Sequence, residues 1–203
     1  MKKMFLSSSF ADSVNSFKNF AGMNLENKSV TFIPTASMVE EVTHHVDLAK
    51  EAFHNLGMNI FELDISKESR EDIIQNLKNN DFIYISGGNT FFLLQELKKK
   101  SLDKVIIQEV NNGKMYIGES AGTIIMAPNI EYIYLLDNKE KAPELGSYQG
   151  LNEINFYPVP HLQNDYLGGE VEQIIKKYQN KIELLPITDN QVILVDGEKI
   201  SVI

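Results

Sequence analysis

The chain has 203 residues, 43% hydrophobic and 23% charged, a composition that fits one globular domain over residues 1–203 with a full core. It has no cysteine, which excludes a disulfide framework, a thiolate nucleophile and thiolate-bound zinc or iron–sulfur centres. Its formal net charge is -9 and Arg70 is its single arginine, which argues against nucleic acid, because phosphate neutralisation needs a cationic surplus.

The first apolar run, Met4-Phe5-Leu6, reads as a strand and stops at Ser7-Ser8-Ser9. It is shorter than the roughly 7–15 apolar residues of a signal peptide, and no apolar run reaches the ~18 residues of a membrane span. The expected location is therefore the cytoplasm. Val30–Ile33 reads as the second strand. Met38 to Leu56 reads as a helix, with Val39, Val42, Val46, Ala49 and Phe53 at steps of three and four and Gly57 as its stop. Asn59–Leu63 reads as a strand and Ser66–Leu77 as a helix. Phe82–Ile85 is a strand, followed by helices over Thr90–Leu97 and Leu102–Val110. Met115–Ile117 and Asn155–Tyr157 are shorter strand candidates, and Gly169–Tyr178 is the last helix. Ile182–Leu185, Gln191–Val195 and Lys199–Ile203 end the chain as strands, with Asp196-Gly197 marking an antiparallel hairpin. This alternation predicts an α/β fold: a mostly parallel sheet between two helical layers, closed by a C-terminal antiparallel hairpin.

The sharpest chemical signal is Gly118-Glu119-Ser120-Ala121-Gly122, a Gly-x-Ser-x-Gly run between a buried strand and an apolar helix. Such a turn is tight, so the residues two before and two after the serine must be small. It would hold Ser120 in a strained conformation over the strand ends, with the N–H of Ala121 facing a developing oxyanion. A serine nucleophile needs a base, and the chain has four histidines. His44, His45 and His54 share one predicted helix without metal-ligand spacing and read as solvated or packed. His161 follows Phe156-Tyr157-Pro158-Val159-Pro160, at the C-terminal end of a predicted strand, the edge that carries sites in open α/β sheets. Ser86-Gly87-Gly88-Asn89-Thr90 lets backbone approach a ligand closely, and Gly88 can supply a second oxyanion donor. It lacks a P-loop lysine, so a nucleotide reading is weak. The acid that orients the histidine stays open among Asp189, Glu131 and Asp137, with Asp189 preferred and Glu131 second. Glu119 either points into the site or pairs elsewhere.

These residues resemble the serine peptidase family of dipeptidase E (aspartyl dipeptidase), the S51 type, which more distantly includes cyanophycinase. The resemblance rests on Ile33-Pro34-Thr35-Ala36-Ser37, Gly87-Gly88-Asn89-Thr90, Gly118-Glu119-Ser120-Ala121-Gly122, Pro160-His161, and Leu185-Pro186 with Thr188-Asp189-Asn190-Gln191. It implies a fold similar to class I glutamine amidotransferase domains, with serine in place of cysteine. It implies Ser120 as nucleophile, His161 as base, and Gly88 and Ala121 as oxyanion donors. It also implies cleavage of small peptides without metal or cofactor. Aspartyl dipeptidases of this type hold the substrate's acidic side chain with an arginine in the helix after the histidine. Here that stretch reads Gly168-Gly169-Glu170-Val171-Glu172-Gln173, with no arginine, so strict aspartate specificity is not expected. Lys176 and Lys177 are the nearby cations.

The expected partner is a small peptide substrate, with no nucleic acid and no membrane. The chain is expected to be a monomer or a homodimer, and the sequence does not choose between them. The enzyme alternative is an α/β-hydrolase-type esterase or amidase in the order serine, acid, histidine, with Glu131 or Asp137 as acid. Its histidine would stand near the chain end, whereas His161 precedes a helix and further strands. The non-catalytic alternative is a small-molecule binding protein on the same fold, which would be expected to lack Ser120 or His161.

Overall fold

The computed structural model describes residues 1–203. Nine strands form: β1 (Lys3–Ser7), β2 (Ser29–Ile33), β3 (Asn59–Glu62), β4 (Phe82–Ile85), β5 (Met115–Glu119), β6 (Tyr157–Val159), β7 (Leu184–Pro186), β8 (Val192–Asp196) and β9 (Lys199–Val202). The helices are α1 (Val14–Ala21), α2 (His44–Asn55), α3 (Arg70–Asn79), α4 (Thr90–Lys99), α5 (Leu102–Asn111), α6 (Ala121–Ile124) and α7 (Gly168–Tyr178). Seven strands make one sheet in the order β3-β2-β4-β5-β1-β8-β9. The five from β3 to β1 run parallel, and the β8–β9 hairpin adds antiparallel to β1.

The period-2 alternation of strand side chains divides the core between the two faces of this sheet. Met4, Leu6, Ile83 and Ile85 turn one way, toward Ile73, Leu77, Leu94, Ile106 and Ile174 of the covering helices. Phe5, Phe32, Phe82 and Tyr84 turn the other way, toward Phe17 and Phe53. The second face is strongly aromatic. Phe10 stacks on Phe53 at 4.5 Å, and Phe53 meets Tyr84 edge-on at 5.1 Å. Each such ring, fully buried, contributes roughly 1.5–3 kcal/mol by area alone.

Several boundaries differ from the sequence expectation. The helix expected over Met38–Leu56 is two pieces, a 3-10 segment at Thr35–Val39 and α2 from His44. Between them Glu40 is extended and Val42 is 77% exposed. The Lys141 ammonium holds the Val39 carbonyl and the Glu40 carboxylate, which pulls this stretch out of helix. α3 begins at Arg70 because Ser69, not Ser66, is its cap and accepts from the Asp72 N–H. Ser66 is instead tied to Asp64. The strand expected at Asn155–Tyr157 forms two residues later, through Pro158. It pairs in parallel with β7 in a separate two-stranded sheet, so β7 lies outside the main sheet. Proline is tolerated there because a two-stranded ribbon leaves one side of each strand free of ladder bonds. The apolar helix expected after Ser120 is the single turn α6, and α1, which buries Phe17 and Ala21, was not anticipated.

Candidate active site

β1, β4 and β5 lie side by side and point the same way, so the loops leaving their C-terminal ends meet. Those loops carry Ser8, Gly87-Gly88 and Ser120. Ser120 sits at φ 46°, ψ -103°, a backbone state that costs about 1–3 kcal/mol and persists only where the surroundings enforce it. The enforcement is visible. The Ser120 N–H donates to the Ser7 carbonyl at 3.0 Å, and the Ser120 carbonyl accepts from Thr123 and Ile124, each at 2.9 Å. Thr123 Oγ1 lies 2.8 and 2.9 Å from the Ser7 and Gly118 carbonyls, which share its single proton, and Tyr116 donates to the Gly122 carbonyl at 2.6 Å. A Cβ at Gly122 would lie 2.2 Å from the Ile85 oxygen, and one at Gly118 would lie 2.6 Å from the Gly122 oxygen. The smallness of both flanking positions is therefore a packing requirement.

Ser120 Oγ is 2.9 Å from His161 Nε2, and His161 Nδ1 is 2.8 Å from Asp189 Oδ1. Asp189 Oδ1 also accepts from the Ser8 hydroxyl at 2.5 Å, and Oδ2 accepts from Asn164 Nδ2 at 2.7 Å. The His161 backbone N–H donates to Ser8 Oγ at 2.9 Å, which helps hold a non-glycine residue at φ 65°. The hydrogen bond from His161, with those from Ser8 and Asn164, holds the Asp189 carboxyl well below the usual carboxylate range, against the opposing effect of burial. Asp189 thus stays ionised through neutral and mildly acidic pH and keeps Nδ1 of His161 as the protonated nitrogen. The N–H of Gly88 meets no acceptor within the chain, and that of Ala121 is the first of α6.

Ser120, His161, Asp189 and Gly88 line one cleft of about 850 Å³, and Ala121, next to Ser120, is fully buried. Glu131 is not among them. It lies exposed in a 3-10 turn with its N–H on Asn129, and no bond links it to His161. Its place as alternative acid is corrected: it neither bonds His161 nor lines the cleft. Glu119 borders the cleft with its carboxylate already engaged, accepting from the Phe10 N–H at 2.9 Å and from the Tyr84 hydroxyl at 2.5 Å. Residue-by-residue reading missed Ser8 and Asn164, the two further partners of Asp189. Ser8 had a signal, since it follows a buried strand at the edge where sites form. Asn164 had none.

Asp137 also lines the cleft, but on a different errand. Its Oδ2 accepts from the Thr90 N–H at 2.7 Å and caps α4. Burial, reinforced by the nearby Glu40, raises its carboxyl from 3.8 to about 6, although Thr90 and His161 oppose the shift. The folded chain therefore retains this proton between about pH 4 and 6, where the unfolded chain releases it. Stability falls as pH rises through that window and is not regained above it. Asp137→Asn keeps an acceptor for Thr90 and removes the titration. It is expected to raise the melting temperature at pH 8 and to flatten its pH dependence between pH 4 and 6. A variant less stable than wild type at pH 8 would refute that account.

A serine on a strained strand-to-helix turn, a histidine on its hydroxyl and a carboxylate on the histidine, at the C-terminal edge of a parallel sheet, form the constellation of the serine hydrolase class. Comparison with known proteins narrows the class to a family. The model of peptidase family S51 matches residues 4–203, and the chain belongs to that family. It is a peptidase. It is 50% identical over 198 residues to an uncharacterized peptidase of Pasteurella multocida, covering 98% of this chain and 95% of that one. It is 47% identical to an uncharacterized peptidase of Listeria monocytogenes, over 98% of this chain and 97% of that one. A peptidase E of a Nostoc species is 33% identical, over 72% of this chain and 57% of that protein. A crystal structure from Listeria monocytogenes, described as a candidate peptidase E, superposes with a TM-score of 0.96 at 46% identity, covering 100% of this chain and 98% of that one. The fold and the hydrolase class expected from the sequence are thereby borne out. No helix is long and apolar enough to cross a membrane.

Proposed function

We propose that the protein is a serine peptidase that hydrolyses short peptides through Ser120, His161 and Asp189, without strict preference for N-terminal aspartate. The observation that supports this reading best is the continuous set of contacts from Ser120 Oγ through His161 to Asp189 at 2.9 and 2.8 Å. Ser120 Oγ attacks the scissile carbonyl while His161 Nε2 takes its proton. The oxyanion forms against the N–H groups of Gly88 and Ala121, His161 returns the proton to the leaving amine, and water then releases the acyl group by the same steps. Asp189 stabilises the imidazolium that forms between them. A histidine partner downstream of His161 in the chain also disfavours the esterase alternative, which places the acid before the histidine.

The charge of the cleft lining supports this substrate range. Asp12, Glu40, Glu41, Glu119, Asp137 and Asp189 line it against one lysine, Lys141, whose ammonium is already held by Glu40 at 2.8 Å and by the Val39 carbonyl. Arg70 lies on α3 with its Nε on the Lys100 carbonyl, and Lys177 is on the Tyr134 hydroxyl, so neither reaches the cleft. A carboxylate side chain entering here would lose hydration without gaining a free cation. The test is kcat/KM across X-Leu dipeptides with wild type and Ser120→Ala in parallel. Neutral or basic first residues are expected to exceed Asp-Leu. A preference of about a hundredfold or more for Asp-Leu, worth about 2.7 kcal/mol, would overturn the specificity. Absence of Ser120-dependent turnover across the whole panel would overturn the function.

A further inference from the structure

The N–H of Gly88 belongs to the same peptide unit as the carbonyl of Gly87. In a trans peptide the two point in opposite directions, so whatever fixes the carbonyl also aims the N–H. This unit lies between two glycines, with Gly88 at φ 126°, where no side chain of its own restrains it. Its carbonyl oxygen receives two hydroxyl protons, from Ser37 at 2.7 Å and from Ser86 at 3.0 Å. Both serines are fully buried, at 1% and 0% exposure.

A hydroxyl carries one proton. Ser37 gives its proton to Gly87, so in its 2.9 Å contact with His45 Nε2 the imidazole must be the donor. The chain of bonds runs from His45 Nε2–H to Ser37 Oγ–H to the Gly87 carbonyl. The His45 ring also packs on this peptide from the side of the nucleophile. A Cβ at Gly87 would lie 3.4 Å from His45 Cδ2 and Nε2 and 3.3 Å from Ser120 Cβ. From behind, Ala36 and Ser37 close the gap, since a Cβ at Gly88 would lie 2.4 Å from the Ala36 carbonyl and 2.6 Å from the Ser37 nitrogen.

We propose that Ser37 and His45 are positioning residues for the oxyanion hole: together they hold the Gly87–Gly88 peptide so that the Gly88 N–H faces the oxygen of the tetrahedral intermediate. The proposal rests on the serine peptidase reading above. Two effects combine. Orientation keeps the donor aimed at a position the oxygen occupies fully only after attack, so the benefit falls on the transition state and not on substrate binding. Polarisation adds to it, because hydrogen bonds accepted by an amide carbonyl strengthen the N–H of the same amide as a donor. His45 stands at the start of α2, and the irregular stretch before that helix is what lets it reach the cleft.

The test uses the full chain and whichever dipeptide wild type turns over best. Removing an oxyanion donor outright costs about 100–1,000-fold in kcat, and releasing one from its restraint should cost less, about 10-fold. Ser37→Ala is therefore expected to lower kcat about 10-fold with KM within about twofold of wild type. The inhibition constant of a peptide aldehyde, whose hemiacetal oxygen occupies the same position, should rise by the factor that kcat/KM falls. His45→Ala should move both quantities in the same direction. His45→Gln, whose amide nitrogen can donate to Ser37, should restore most of the loss. A purely structural role would lower stability while leaving aldehyde affinity in step with wild type, and that result overturns the proposal. So does kcat within twofold of wild type in both alanine variants, or equal loss in His45→Gln and His45→Ala. If Ser37→Ala does not fold, the His45 pair decides alone. Failure of wild type to turn over any peptide would remove the serine peptidase reading and this proposal together, whereas an active wild type matched by both alanine variants removes only this proposal.

Discussion

Ser120→Ala is expected to reduce peptide turnover by about 10⁶-fold, to the level the remaining cleft can support. The hydroxyl oxygen is the only heavy atom lost, and alanine fits the φ 46° position no worse than serine does, so the fold should persist. A serine-directed fluorophosphonate should label wild type once and the variant not at all. Labelling that continues unchanged in Ser120→Ala would remove Ser120 from its role. His161→Ala should fall by a similar factor, because nucleophile and base act as one unit and losing either disables the same step. Near-normal turnover by a folded His161→Ala would exclude it as the base. The cost of the strained turn is already met by the bonds around Ser7, Gly118 and Thr123, none of which involves the Ser120 side chain.

Asp189→Asn is the second large effect, expected at about 10⁴-fold in turnover. The amide is nearly the same size but can present its NH₂ to His161 Nδ1. That favours the tautomer with the proton on Nε2, the nitrogen that must accept from Ser120. Ser8 and Asn164 should soften the change only slightly, since they orient the carboxylate and do not replace its charge. Glu131→Gln should leave turnover unchanged, because the side chain lies exposed and away from His161. If Glu131→Gln were crippled and Asp189→Asn active, the assignment of the acid would be reversed. If both variants kept full turnover, the site would work through Ser120 and His161 alone.

The parts of this protein that depend on near neighbours in the chain were legible without the fold. The unbroken apolar run Phe82–Ile85, the small residues around Ser120 and the Asp196-Gly197 turn each state a local rule of backbone geometry, and each element formed where that rule placed it. Helix limits were less legible where a distant group intervened, as Lys141 does at Val39 and Glu40. The site divides in the same way. The Gly-x-Ser-x-Gly turn announces Ser120 because its constraints lie within five residues. The choice among Asp189, Glu131 and Asp137 could not be made locally, since all three are carboxylates in or near turns. Which carboxylate meets His161 depends on which loops converge: Ser8 and His161 are 153 positions apart, Ser8 and Asp189 are 181, and both contacts exist only because β1 lies inside the sheet, between β5 and β8. His45 makes the same point from the other side. Its sequence surroundings describe an ordinary helix face, while packing of α2 against the glycine turn after β4 sets its ring beside Ser120. Periodicity and turn chemistry reach a few residues along the chain, and contact between distant loops is fixed only by strand order and the layers that cover the sheet.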